Sequence, residues 1–396
     1  MPVYLLRFIL LILSLLLISC SNQIPPKPNN SPLCHAVYDA GSSGTRLYLY
    51  QNKNGQWIEH AGAKVSALAD PIRGNRGKSF NDVDAVITEI VSALDAIRYD
   101  GELDKKGQAK WPAFDWKNQC QLASVQVLAT AGMRIAEYEN RQGSYVLWQR
   151  LKQKLQEKVG AGVQIKVHTL SGFEEGLFAW LAVKENKQQS NFGVAEMGGA
   201  SAQITFPCKH CNNDSNAVRS VLIDGKLQKM YSYSYLGLGQ DEAAKVMGIP
   251  SFCGYGAAKQ HTHWNIKSCH DQINIANAQG IRDPYNFRAN LRNAYQPIPA
   301  EQTKIDTWVL TGAFNHQNAK DIDNCCLNTR QCYKAKTACF RTIYLDKYLN
   351  LMAIPTTSER QKTNWTLGAV ICAANNCLAQ AKTPPICRWS KQGCLQ

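Results

Sequence analysis

The chain has 396 residues, of which 45% are hydrophobic and 19% charged; this excludes wholesale disorder and is long enough for two domains with cores of their own. Its formal net charge is +14, a field that suits a nucleic acid, an anionic membrane or a polyanionic substrate. No Lys/Arg run of five or more occurs, so the charge is diffuse and a nucleic-acid partner is not expected.

Met1 to Ser19 carries one positive charge, Arg7, and then a mostly apolar run from Phe8 to Ile18. That run is short for a spanning helix and fits the hydrophobic region of an export signal. It ends in Leu17-Ile18-Ser19-Cys20, which resembles a bacterial lipobox. Residues 1–19 therefore read as a lipoprotein-type signal peptide and Cys20 as the lipidated first mature residue. Ser21 in place of Asp favours outer-membrane sorting by analogy. The expected location is the cell envelope, anchored by lipid, or the exterior if the signal is simply cleaved. Residues 20–33, with Pro25, Pro26, Pro28 and Pro32, form a stiff polar tether. Fifteen cysteines less Cys20 leave fourteen, an even number that permits up to seven disulfides in an exported chain.

Ala36 to Asp39 reads as a buried strand ending in an acid, Gly41-Ser42-Ser43-Gly44 as a turn of small residues, and Leu47 to Tyr50 as a second strand. Backbone amides of such a turn can converge on an anion because no side chain blocks the approach. Ser and Thr hydroxyls add donors, and Asp39 can hold a hydrated cation. An unliganded hairpin uses the same residues, so the stretch alone decides nothing. Asn54-Gly55 predicts a tight hairpin turn before Trp57, and Lys64 to Leu68 extends the sheet. Apolar residues at Val83, Val86, Ile87, Ile90, Val91, Leu94 and Ile97 predict a helix over 82–98. The polar stretch 99–119 is a loop in which Trp111, Phe114 and Trp116 pack locally. Ser124 to Leu128 is a strand that delivers Ala129-Thr130-Ala131-Gly132-Met133-Arg134 at its tip. There Thr130 either orients metal-bound water or caps a helix. Residues 144–159 form a basic amphipathic helix.

Val163 to Leu170 is a strand, after which Glu174 and Glu175 open a helix. One acid at a helix N-terminus is explained by the dipole; a second is a candidate general base. Gly193 to Gln203 then repeats the first plan: apolar strand, Glu196, the turn Gly198-Gly199-Ala200, Ser201, strand. Two acid-tipped turns in one chain predict a duplicated fold with two lobes facing one cleft. Cys208-Lys209-His210-Cys211 is half a zinc site or a disulfide partner set, and an oxidising compartment favours the disulfide. A hairpin at Val221 to Gly225, a strand from Tyr231 and a helix over 240–247 follow. Phe252 to His263 reads as an irregular loop with His261 and His263 on its surface. Thr303 to Leu310 is a strand tipped by Thr311 to Asn315, and Asn364 to Val370 starts the closing helix.

Five stations together resemble the apyrase regions of the ecto-nucleoside triphosphate diphosphohydrolases: Asp39–Arg46, Ala129–Arg134, Glu175–Trp180, Glu196–Gln203 and Trp365–Ala369. They stand in family order and span nearly all of the chain after the leader. The resemblance implies an α/β fold of two ribonuclease-H-like lobes, as in the actin-like ATPase superfamily, around a central nucleotide cleft. Lobe I would be 34–165 completed by 366–396, and lobe II 166–365. It implies a monomeric hydrolase that removes the terminal phosphate of nucleoside tri- and diphosphates with Mg2+ or Ca2+. Carried over by motif, Glu175 deprotonates the attacking water, and Ser201 and Gln203 position it. Ser42, Ser43, Gly44, Thr45 and Arg46, with Gly198, Gly199 and Ala200, cradle the phosphates. Asp39, Thr130 and Glu196 hold the metal mainly through its water. Trp365 bounds the nucleotide pocket, where Asn315, Tyr344 and Tyr348 are candidates by region; core packing is the other reading of the tyrosines.

Two positions depart from the family pattern. Glu196 stands where the family has Asp, which lengthens the arm by a methylene at a site where Mg2+ tolerates little change. Ala202 in place of Thr is minor. Two other functions stay open: a lipoprotein that binds nucleotides or polyanions without turnover, and an exopolyphosphatase or pyrophosphatase on the same fold.

Overall fold

The computed structural model describes residues 31–73, 83–96, 116–187, 189–211, 217–281, 283–285, 296–316, 326–327, 334–379, 381, 388–390 and 393–395. The signal segment, Cys20, Trp111, Phe114, Cys325, Cys332 and Cys387 lie outside them. Among the described residues no helix is long and apolar enough to cross a membrane.

Apolar runs between small-residue turns become strands, and among the described residues they form two large sheets and a separate antiparallel pair, Arg388–Ser390 with Gly393–Leu395. The first contains β1 (Leu33–Gly41), β2 (Gly44–Lys53), β3 (Gln56–Val65), β4 (Gln121–Ala129) and β5 (Gln164–Thr169), in the order β3-β2-β1-β4-β5. Its central strand β1 pairs antiparallel with β2 and parallel with β4. The second contains β6 (Phe192–Met197), β7 (Ser201–Pro207), β8 (Val218–Ile223), β9 (Lys226–Leu236), β10 (Thr307–Gly312) and β11 (Glu359–Arg360), in the order β11-β10-β6-β7-β9-β8. There β6 pairs antiparallel with β7 and parallel with β10. Each sheet thus has a central strand, hairpin neighbours on one side and parallel crossovers on the other; β8 is the one addition. This is the duplicated plan that the paired turns predict. Asn54 and Gly55 sit at φ 53° and 85°, the positive values a tight hairpin turn needs.

Some boundaries differ from expectation. The strand expected from Thr303 starts at Thr307, because Pro299 leads into a 3-10 turn over Ala300–Lys304. The expected loop 252–263 holds two short helical turns, Ser251–Cys253 and Ala257–Gln260.

The helices that matter for the cleft are α1 (Val83–Ala96), α2 (Ala131–Glu139), α3 (Arg141–Val159), α4 (Gly172–Lys184), α5 (Glu242–Val246), α6 (Ala335–Leu351) and α7 (Trp365–Ala374). On α3 the buried Leu147, Leu151 and Leu155 recur every four residues and leave a solvated charged face. By contrast α4 is apolar all round between its charged ends, with Leu177, Phe178, Trp180 and Val183 buried, so it must sit inside. It does so with α7. One core cluster holds Val37 and Leu128 of the first sheet, Val194 and Val309 of the second, and Phe178, Trp180 and Val370 of these helices. The lobes are therefore joined by a dry layer behind the cleft. Five disulfides are present among the described residues: Cys34–Cys120, Cys208–Cys211, Cys253–Cys269, Cys326–Cys339 and Cys372–Cys377.

Candidate active site

The two hairpin turns lie at the ends of the central strands. In the first, Asp39 pairs across to Arg46 and Gly41 to Gly44, leaving Ser42 and Ser43 as the turn. In the second, Glu196 pairs with Gln203, and Gly198 N–H donates to Ser201 O at 2.9 Å. The carbonyls of Gly198, Gly199 and Ala200 accept from the amides of Gln240, Asp241, Glu242 and Gly237. That draws the turn's negative edge backward and leaves its amides as the groups suited to an anion. The turns meet. A Cβ on Gly199 would stand 2.5 Å from Ser42 Oγ, and one on Gly132 would stand 2.9 Å from Ser42 Cα, main chain whose close approach glycine at 132 permits. Beside them Thr45 Oγ1 is buried with no hydrogen-bond partner among the described residues.

The two acids that open α4 divide their roles. Ser171 caps the helix, and Glu174 Oε2 accepts from the Ser171 backbone N–H at 2.9 Å, closing a capping box. Glu175, about 100° further round the helix, points inward and is 5% exposed. Its Oε2 accepts from Arg134 Nη2 at 2.6 Å. Arg134 is fully buried and also donates to Asp283 Oδ2 at 2.8 Å, Ser234 Oγ at 3.0 Å and Ser201 Oγ at 3.3 Å. Gln203 Nε2 donates to Ser201 Oγ at 2.6 Å and to Ser234 Oγ at 3.1 Å. Glu175, Ser201 and Gln203 thus share one network, and Arg134 is its centre.

Arg134, Ser234 and Asp283 have no role in the sequence reading. For Arg134 a signal exists: a lone charge one turn into a helix, among Ala131, Gly132, Met133 and Ile135, must be buried against something. Alternation on β9 likewise puts Ser234 on one face with Ser232. Asp283 has no such signal, since it lies in a loop far along the chain.

Three carboxylates line the cleft. Burial raises Glu175 to about 7, with Arg134 opposing and Asp39 and Asp283 adding. Burial raises Asp39 to about 6 against Arg46 and Lys64. Glu196 is pushed well above the carboxylate range by burial, then by Glu175 and Asp39. Acids that hold one another's protons on are relieved by a cation. Glu196 Oε2 and Thr311 Oγ1 stand on paired positions of β6 and β10, both buried and without a hydrogen-bond partner among the described residues. Such hard oxygen donors fit Mg2+ or Ca2+. Among the described residues, the three metal-ligating side chains whose donor atoms lie within 4.8 Å of one another are Cys208, Cys211 and Glu301, and the disulfide between those cysteines leaves no thiolate. The cleft carboxylates are more widely spaced, which suits a cation held through water. Thr130 occupies the N-cap position of α2 without a side-chain cap hydrogen bond, so its hydroxyl is not used as a helix cap.

The base-pocket candidates fare unevenly. Trp365 opens α7 and is 6% exposed, and Asn315 is half-buried in the turn after β10. Of the two readings given for Tyr344 and Tyr348, core packing describes their surroundings: both are fully buried. Tyr344 stacks on Phe340 and donates to Leu238 O at 2.7 Å, while Tyr348 packs against Phe314 and Tyr235. Ring burial on the inner face of α6 holds them there. His261 stacks on Phe252 at 4.3 Å and His263 is exposed, as surface histidines.

The model of the GDA1/CD39 (nucleoside phosphatase) family matches residues 116–344. Ectonucleoside triphosphate diphosphohydrolase 5 of Gallus gallus is 26% identical over 239 residues, 55% of this chain and 49% of the relative. Ectonucleoside triphosphate diphosphohydrolase 1 of Bos taurus is 25% identical over 234 residues, 52% of this chain and 41% of the relative. The chain spans about half the length of the curated relatives it matches. A crystal structure of nucleoside triphosphate hydrolases from Neospora caninum aligns with a TM-score of 0.51 at 14% identity, over 86% of this chain and 92% of that one. That likeness is one of fold.

Proposed function

The chain belongs to the GDA1/CD39 (nucleoside phosphatase) family, and on that premise we propose that it hydrolyses the terminal phosphoanhydride of nucleoside tri- and diphosphates down to the monophosphate. The observation that carries the reading is Glu175: a buried carboxylate raised to about 7, tied by one oxygen to Arg134, beside two small-residue turns. A base with its pKa near neutrality combines an ionised fraction with real proton affinity.

In this reading Glu175 takes a proton from water, oriented by Ser201 and Gln203. The water oxygen bonds to the terminal phosphorus as the bridging P–O bond breaks, and the shortened nucleotide leaves with that electron pair. The turn residues Ser42, Ser43, Gly44, Thr45 and Arg46, with Gly198, Gly199 and Ala200, hold the phosphates. Positioning and charge neutralisation are most of what a loose phosphoryl transition state requires. Asp39, Thr130 and Glu196 would hold Mg2+ or Ca2+ mainly through water; bound there, the cation neutralises phosphate charge. Trp365 and Asn315 bound the base side. We assign lobe I to 34–165 with 366–396 and lobe II to 166–365, supported by β1–β5 forming one sheet and β6–β11 the other. We place the enzyme outside the cytoplasm, anchored through a lipid on Cys20, a location in keeping with its disulfides.

Phosphate release from ATP, ADP and AMP, with Mg2+, Ca2+ or EDTA, tests the reading. ATP and ADP are expected to be cleaved and AMP spared, with activity lost in EDTA. Glu175→Gln is expected to lower the rate about 10²–10⁴-fold while still binding nucleotide. Full activity in that variant refutes Glu175 as base. Polyphosphate cleavage that adenosine nucleotides do not inhibit would favour the exopolyphosphatase reading.

A further inference from the structure

Two lysines outside the assigned machinery end at the junction of the turns. Lys64 on β3 lies over the first: a Cβ added at Gly44 would overlap Lys64 Cε and stand 3.2 Å from its Nζ. Lys334 precedes α6 and donates to Asp241 Oδ2 at 2.7 Å. That same carboxylate oxygen lies 3.0 Å from the place a Cβ on Gly199 of the second turn would take. Gly199 in turn abuts Ser42, so the two lysines, one from each lobe, flank one small volume. Arg46 and Lys334 are close enough to help burial lower the Lys64 ammonium, with Asp39 and Asp241 opposing. Lys64, Arg46 and Lys334 thus gather around Asp39 and Asp241, a local cluster of cations to which an anion is drawn. Lys64 and Lys334 are both exposed.

We propose that Lys64 and Lys334 are specificity-determining residues that grip the outermost phosphoryl group of the substrate from the two lobes, with Asp241 holding Lys334 in readiness. The proposal rests on the phosphohydrolase reading above. A phosphate chain carries its largest charge at its free end. A lysine, a point charge with three donors on a flexible stem, suits a terminal group whose position shifts between tri- and diphosphate, where a rigid arginine fork suits a fixed one. The grip involves no base contact. It therefore selects for a chain of phosphates over a monoester, and inorganic tripolyphosphate should bind without any nucleoside.

Calorimetric titration of the full chain with inorganic tripolyphosphate tests this, alongside ATP hydrolysis in the same preparations. The proteins are wild type, Lys64→Met, Lys334→Met and, as a control on an exposed helix face, Lys154→Met, each checked for folding by circular dichroism. Each cleft variant is expected to bind tripolyphosphate about tenfold more weakly, with a salt slope shallower by about one ion. Lys154→Met should match wild type. Wild-type-like binding by both cleft variants overturns the proposal, as does an equal loss in Lys154→Met, which would mean net charge alone. No binding by wild type overturns it too. Lysine-dependent binding in a wild type that hydrolyses no nucleotide upholds the anion site and overturns the hydrolase reading.

Discussion

Arg134 donates to Glu175, Asp283, Ser201 and Ser234 from a fully buried position, so its loss strands two carboxylates in a dry interior. Arg134→Met is expected to destabilise the fold by about 3–5 kcal/mol, read by urea unfolding. Because Arg134 opposes the burial that raises Glu175, the acidic limb of the pH–rate profile, where the base must lose its proton, should also move to higher pH; an unmoved limb means Arg134 does not tune the base. Glu196 poses a different question. Its side chain is one methylene longer than the family's Asp, and Mg2+ is stricter about geometry than Ca2+. Glu196→Asp is expected to raise the ratio of Mg2+- to Ca2+-supported phosphate release several-fold, and an unchanged ratio would remove Glu196 from the cation's surroundings.

At the level of elements, the cleft is built on a close crossing of α4 and α7. A Cβ on Gly368 would collide with the Phe178 carbonyl, main chain that cannot swing aside. Gly368→Ala is therefore expected to destabilise by about 1–3 kcal/mol through overpacking, measured by thermal and urea unfolding. Since Glu175 lies in the first turn of α4, a forced shift of that helix should lower activity in molecules that remain folded. Equal stability and activity in the variant would show that the two helices can part without effect. The second hairpin turn is held differently, by backbone bonds from residues 237–242 to the carbonyls of Gly198, Gly199 and Ala200.

Across the whole molecule, the cleft acids couple stability to pH and to cation. Glu175 at about 7 and Glu196 well above its ordinary value bind protons more tightly folded than unfolded. Between their unfolded and folded pKa values the native state holds the extra protons, so stability falls as pH rises. His35, His60 and His168, lowered by burial, act in the opposite sense, but only below about pH 6.5, where unfolded histidine protonates. The thermal midpoint in EDTA should therefore decline from about pH 6.5 to about pH 8. Excess Mg2+ or Ca2+, which favours the ionised forms, should flatten the decline. A slope the cation leaves unchanged would argue against its binding at these acids.

The amino-acid sequence by itself determined what is local. Apolar periodicity and turn residues were enough for α1, α3, both acid-tipped hairpins and their repetition, and hence for two lobes. Periodicity left Glu174 and Glu175 as a pair of acids at a helix start; the likeness of Glu175–Trp180 to a family motif picked out Glu175, and the capping box of Glu174 is visible only in the fold. Tertiary structure alone decided what depends on distant chain segments meeting. It brought Asp283 and Ser234 to Arg134, paired Thr311 with Glu196 across two strands, set Lys64 and Lys334 over the turns, and sent Tyr344 and Tyr348 into the core instead of the cleft. Spacing along a chain encodes which face of its own element a residue occupies, through the 3.6- and 2-residue periods. It does not encode which other element that face will meet, and the partners of a buried charge are set by that meeting.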